Sequence, residues 1–153
     1  MEEGDKPLQY ALYLLSFRPR SRKELEVRLQ KKFDGIDIGK IIKKLEEWGY
    51  INDEEFARTW IEERLAHNPK GKFVLRKELR EKGVEERIIE KMLQRLYPPE
   101  REREEAQRLA IKKWEREKDV EERKRRERTY RYLLSRGFPL EMAREMVEIL
   151  SGE

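Results

Sequence analysis

Apolar residues recur along this chain at helical spacings nearly throughout. Leu8, Ala11, Leu12 and Leu15 fall at i, i+3, i+4 and i+7; Leu25, Leu29 and Phe33 make a second stripe, and Ile38, Ile41, Ile42 and Leu45 a third. Each stripe lies on one face of an α-helix. Gly49 is placed to end the third helix. Asn52 then offers a cap with Glu55 behind it, and Phe56, Ala57, Trp60 and Ile61 form the next apolar face. Asn68-Pro69-Lys70-Gly71 signals a turn. Leu75 and Leu79 lead to Gly83, and Val84, Ile88, Met92 and Leu96 continue to a stop at Pro98-Pro99. A charged helix carries Ala106, Leu109, Ala110 and Trp114. Tyr130, Leu133 and Leu134 precede Gly137, and Pro139 suits the first turn of a last helix bearing Leu140, Ala143, Val147 and Leu150. The pattern predicts an all-α fold of nine helices in three sets of three.

The sets repeat. LREKGVEERIIEKMLQRL (79–96) lies over LLSRGFPLEMAREMVEIL (133–150) without a gap, so that Gly83 meets Gly137, Met92 meets Met146 and Leu96 meets Leu150. Leu25 and Leu29 match Leu75 and Leu79 at an offset of 50. Phe33 falls where the other two sets have glycine. Repeats are therefore expected over 8–49, 50–99 and 100–151. Units this small are near the lower limit for holding a core alone and gain by association in series. An elongated, curved molecule is expected.

The start of the second helix poses a chemical problem. In FRPRSRKEL, Ser21 and Glu24 form an S-x-x-E capping box, yet Arg18, Arg20, Arg22 and Lys23 crowd a helix end that prefers anions. The equivalent place in the second repeat carries Lys70 and Lys72; in the third it carries Arg123, Lys124, Arg125 and Arg126. If the repeats follow one another regularly, these cations line one edge, suited to a polyanion or an acidic protein surface. The competing reading is a solvated face. It is strongest in the third repeat, where Asp119, Glu121 and Glu122 stand four residues before Arg123, Arg125 and Arg126.

Composition narrows the picture. Of 153 residues 46% are charged, the net charge is +4, and residues 8–49 alone carry that excess, with ten Lys/Arg against six Asp/Glu. There is no cysteine, which removes disulfide and thiolate chemistry and favours an intracellular, cytoplasmic setting. The acidic MEEGDKP start has no apolar stretch of the kind a secretion signal needs, and no apolar run approaches the ~18 residues of a membrane span. Catalysis finds little support. His67 is the single histidine and has no nucleophile arranged with it. GIDIGK (35–40) is one residue short of a P-loop, and Ile41 replaces the hydroxyl that would hold magnesium. No cofactor or metal is expected. Trp48, Trp60 and Trp114 read as core residues.

RSRKELEVRLQKK (20–32), GYINDEEFARTWIEER (49–64), LRKELREKGV (75–84), AQRLAIKKW (106–114) and YRYLLSRGF (130–138) occur in that order. Together they resemble the RecX family, bacterial regulators of the RecA recombinase, over roughly 8–150. The resemblance implies three tandem three-helix repeats and no catalytic residues. It also implies binding along the groove of a RecA filament on single-stranded DNA, depressing ATP hydrolysis and strand exchange in DNA repair and recombination; a monomer is expected. The departure at Phe33 sets the first repeat apart, and the charged 115–128 stretch suggests a longer helix than the family pattern. The alternative is an independent DNA-binding protein, since trihelical units resemble helix-turn-helix modules.

Overall fold

The computed structural model describes residues 6–152; the acidic start at 1–5 lies outside them. Among the described residues there are nine α-helices and no strands. They are α1 (Lys6–Leu15), α2 (Arg22–Lys32), α3 (Ile38–Glu47), α4 (Asp53–His67), α5 (Lys72–Glu81), α6 (Glu86–Leu96), α7 (Pro99–Arg116), α8 (Glu122–Ser135) and α9 (Leu140–Ser151). No helix among them is long and apolar enough to cross a membrane.

Local chemistry starts and stops these helices much as the sequence predicts. The Asp37 carboxylate accepts from the Lys40 amide at the start of α3. The Asn52 side chain accepts from the Glu54 and Glu55 amides at the start of α4. Pro99 opens α7, where its missing N–H costs nothing. Gly49, Gly83 and Gly137 end α3, α5 and α8 with φ of 80, 82 and 95°, a left-handed conformation that a Cβ disfavours.

The chain gathers into two compact units, and the division runs through the helices of the middle repeat. One unit holds the chain up to Trp60 together with Leu79–Glu90; the other holds Ile61–Glu78 together with Lys91 onward. In the first, Ala11, Leu14, Leu25, Leu29, Ile42, Leu45 and Ile51 form the core, with Tyr10, Phe33 and Ile38 packed against it. In the second, α7, α8 and α9 pack mutually around Ala106, Ala110, Leu133, Phe138, Ala143 and Met146. Leu75, Met92, Leu93 and Tyr97 are also buried in that unit. The Tyr97 hydroxyl donates to the Lys70 carbonyl at 2.9 Å, and burial holds its pKa far above the ordinary phenol value.

Each unit contains one joint of the same kind, in which the start of a repeat's middle helix meets the glycine turn of the following repeat. In the first, Ser21 Oγ donates to the Lys82 carbonyl at 2.6 Å, and the Lys23 stem lies so close over Gly83 that a Cβ there would come within 2.3 Å of it. In the second, the Gly71 and Phe73 amides donate to the Arg136 and Gly137 carbonyls at 2.8 and 3.2 Å. Phe33 stands where Gly83 and Gly137 stand in the later repeats. It is extended at φ −124° and half-buried. Gly35 takes the left-handed position instead, at φ 66°, with open space around it.

Three expectations are corrected. Trp48 is 54% exposed. The chain reverses at Gly49, the Tyr50 amide returns to the Leu45 carbonyl, and Ile51 takes the core place instead; Trp114 is buried and Trp60 half-buried. The 115–128 stretch is not one longer helix, because α7 ends at Arg116 and α8 begins at Glu122. Pro139 precedes α9 as its N-cap, with φ −60° and ψ 148°, and does not lie in its first turn.

At the second joint main chain lies directly against main chain. A Cβ on Gly71 would sit 2.2 Å from the Gly137 carbonyl oxygen, whereas one on Gly39 would meet only the Asp37 side chain at 3.6 Å. Gly71→Ala should therefore lower stability by ~1–3 kcal/mol or more, while Gly39→Ala, inside α3, should be neutral or stabilising by up to ~1 kcal/mol. Urea unfolding of the two variants against the parent protein checks the contrast.

Candidate functional site

The capping box at the start of α2 forms as read. Ser21 Oγ accepts from the Glu24 amide at 3.2 Å, and Glu24 Oε1 accepts from the Ser21 amide at 3.1 Å. The four cations around it then part. Arg18 reaches back to Glu24, with N–O distances of 2.8 and 3.4 Å. Arg22 turns the other way, to Glu26 at 2.9 Å and Glu46 at 3.4 Å. Its own backbone amide, left over at the helix start, donates to Asp53 at 3.0 Å. Arg20 is half-buried and its Nε has no hydrogen-bond partner. Lys23 lies between the two sides.

Two clefts of opposite charge result. A cationic one of about 260 Å³ is lined by Arg18, Arg20, Lys23, Arg28 and Lys82 against Glu24 and Glu81, with Val27 on its wall. A larger one of about 600 Å³ reverses the balance: Glu26, Glu46, Asp53, Glu54 and Glu85 outnumber Arg22 and Lys23. Burial pushes the Asp53 carboxyl up, helped by Glu46 and only partly offset by the Arg22 amide.

The cationic cleft is electrostatically loaded. Burial, then the neighbouring Arg18 charge, depress the Arg20 guanidinium pKa. Burial alone would raise Glu24; the bond from Arg18, the Ser21 amide and the Lys82 charge at 3.5 Å outweigh it and hold that carboxyl below its ordinary value. Glu24 is thus already committed to the cap and two cations. Arg20, Lys23 and Arg28 form no ion pair with it; its charge offsets only part of what burial and Arg18 impose on Arg20, and an incoming anion would relieve the repulsion among the cations.

The second and third repeats use their cations differently. Lys70 is paired with Glu78 at 3.5 Å. Lys72 stands 4.0 Å from buried Glu102, which also accepts from the Lys72 amide at 2.8 Å and so caps α5. Both lysines are half-buried beside the second joint. At the start of α8, Arg125 donates to the Trp114 carbonyl and its guanidinium lies 3.9 Å from the indole centroid. Arg126 pairs with Glu122 at 3.3 Å. Arg123 and Lys124 stay exposed, and among the described residues they form no ion pair. Of the three carboxylates expected to pair across one turn, Glu122 alone does so with its Arg.

Sequence reading missed Arg28 and Lys82. Arg28 is one turn along α2 from Glu24 and could have been placed on its face by helical spacing. Lys82 comes from 61 residues beyond Ser21 through the Ser21–Lys82 bond, which no local pattern announces.

The chain matches three family models described as the first, second and third three-helix domains of RecX, over residues 8–45, 52–93 and 100–147. It is 35% identical to the regulatory protein RecX of Mycobacterium sp. (strain JLS), over 94% of this chain and 81% of that relative. It is 37% identical to the regulatory protein RecX of Bacillus pumilus, but spans only 52% of that relative's length. Among solved structures, the crystal structure of RecX from Lactobacillus salivarius superposes with a TM-score of 0.87 at 28% identity, covering 98% of this chain and 97% of that one.

The lowered pKa of Glu24 gives a pH prediction. A carboxyl held low in the folded protein contributes stability above its unfolded pKa, and loses it as pH falls through the folded value. Glu24→Gln keeps the side-chain cap and removes the charge. The variant should be less stable than the parent at pH 7, by ~1 kcal/mol or less, and the gap should narrow as pH falls below the ordinary glutamate value of about 4.3. Melting curves across pH 3–8 test the sign.

Proposed function

Because the chain belongs to the RecX family of regulatory proteins, we propose that it regulates a RecA-type recombinase by binding the recombinase filament on single-stranded DNA and lowering its ATPase and strand-exchange activity. The observation that carries this reading is the match of all three repeats, in order, to the three RecX domains. The relatives' own name, regulatory protein, accords with a role exercised by binding.

The repeats, taken as 8–49, 50–99 and 100–151, supply contacts that need not be individually strong, since linked contacts raise the effective concentration of the next. Within them the cationic cleft at the start of α2, completed by Lys82 and Glu81 of the second repeat, is the principal contact surface. Its cations outnumber its carboxylates, and those carboxylates include one already saturated. Arg123 and Lys124 are a second, smaller contact. Lys70, Lys72 and Arg125 serve the fold, through Glu78, Glu102 and Trp114.

The test is the ATPase of a bacterial recombinase on single-stranded DNA, titrated with this protein. Inhibition at less than one protein per recombinase is expected. Arg20→Gln/Lys23→Gln/Arg28→Gln should raise the concentration needed by about tenfold or more, as loss of several charge-assisted contacts requires. Arg22→Gln, on the acidic side, should change it little. A flat ATPase across the titration sinks the reading.

A further inference from the structure

We propose that the exposed aromatic face of α1 is a base-stacking platform, so that the adjoining cationic cleft takes a single strand of nucleic acid, phosphates on its guanidinium and ammonium groups and bases on the rings. This rests on the regulator reading only in using the same cleft as the contact surface. Two observations carry it independently, one apolar and one charged.

The apolar observation is the pair Tyr13 and Phe17. They are 59% and 65% exposed, and they touch edge to face with centroids 4.9 Å apart. Tyr10, Tyr13 and Phe17 stand at i, i+3 and i+7, which puts them along one side of α1 and the turn that ends it. Each end of that line stands next to a residue that lines the cleft. The Tyr10 hydroxyl accepts from Arg28 at 3.1 Å, and Phe17 is followed directly by Arg18. One end of the line thus bonds a cleft cation and the other precedes one in the chain, and both Tyr13 and Phe17 are mostly exposed.

The charged observation is the cleft itself, five cations against Glu24 and Glu81. Glu24 is neutralised where it stands by Arg18 and Lys82, and Glu81 remains as the one opposing carboxylate without such a pair at hand. An acidic peptide could answer the cations but would leave the rings idle. A duplex has phosphates but hides its base faces. A single strand offers both a charged backbone and open π-faces, and proteins that hold single strands pair a basic groove with aromatic side chains for this reason.

The experiment uses the full chain and fluorescence anisotropy with labelled dT15, a 15-base-pair duplex, and an abasic strand of the same length. The expected order is dT15 tightest, ahead of the duplex and the abasic strand, with a log–log salt slope near −2 for about three net phosphates neutralised. Tyr13→Ser/Phe17→Ser should weaken dT15 binding by about tenfold or more and leave the abasic strand unchanged, and Tyr13→Trp/Phe17→Trp should restore it. Both ring positions are exposed, and circular dichroism melting confirms that each variant is folded. The platform is overturned if the duplex or abasic strand binds as well as dT15, or if polyglutamate of equal charge displaces dT15 as readily as unlabelled dT15 does. It is equally overturned if the parent protein does not bind dT15, or if the Ser variant binds like the parent. Recombinase ATPase measured alongside separates the two ideas. Inhibition without dT15 binding removes the platform alone, and dT15 binding without inhibition removes the regulator reading alone.

Discussion

A single hydroxyl holds the first joint together. Ser21 is wholly buried; its oxygen accepts from the Glu24 amide and donates to the Lys82 carbonyl. A serine hydroxyl has one proton to give and lone pairs to spare, and here both capacities are used between segments 61 residues apart. Starting α2 and seating it on the next repeat's turn are therefore one event. The cleft follows from it. Lys82 arrives beside Glu24, Glu24 is drawn into the cap, and Arg20, Lys23 and Arg28 are left facing an unneutralised space. Replacing the hydroxyl would leave polar groups on both sides short of a partner, which costs more than the bond itself contributes.

The second joint reaches the same end by other means. Gly71 stands where Ser21 stands and has no side chain to offer, so its backbone amide does the bonding, to the Arg136 carbonyl. The cap that Ser21 and Glu24 make for α2 is made for α5 by buried Glu102, which comes from α7. The cost is that Lys70 and Lys72 are drawn into ion pairs with Glu78 and Glu102. A similar run of cations thus becomes an open surface in one repeat and internal fastening in the next. Nearby carboxylates decide which.

Helices, caps and the 54-residue offset between 79–96 and 133–150 were legible in the sequence because each depends on residues within a turn or two of one another. Asn52 and Ser21 behave as their spacing predicts. What lay beyond local reading was partnership. Whether Arg22 turned toward Glu46 or joined Arg18 depended on where α3 and α4 ended up. Trp48 looked like core by type, but Ile51, three residues later and past a glycine, filled the place. Arg125 sat four residues from Glu121 and still went to Trp114, since an indole face and a free carbonyl together outbid a solvated carboxylate.

The Gly83 and Gly137 turns carry a consequence for divergence. What each receives is met largely by main-chain atoms and by the absence of a Cβ: carbonyls of Lys82, Arg136 and Gly137, and bare α-carbons beneath Lys23 and Val74. Main-chain atoms are the same whatever the residue. A connection specified this way tolerates drift in nearly every side chain around it, provided the bare positions stay bare. Successive copies could therefore specialise, one for holding and another for gripping, without ever losing the means by which they are joined.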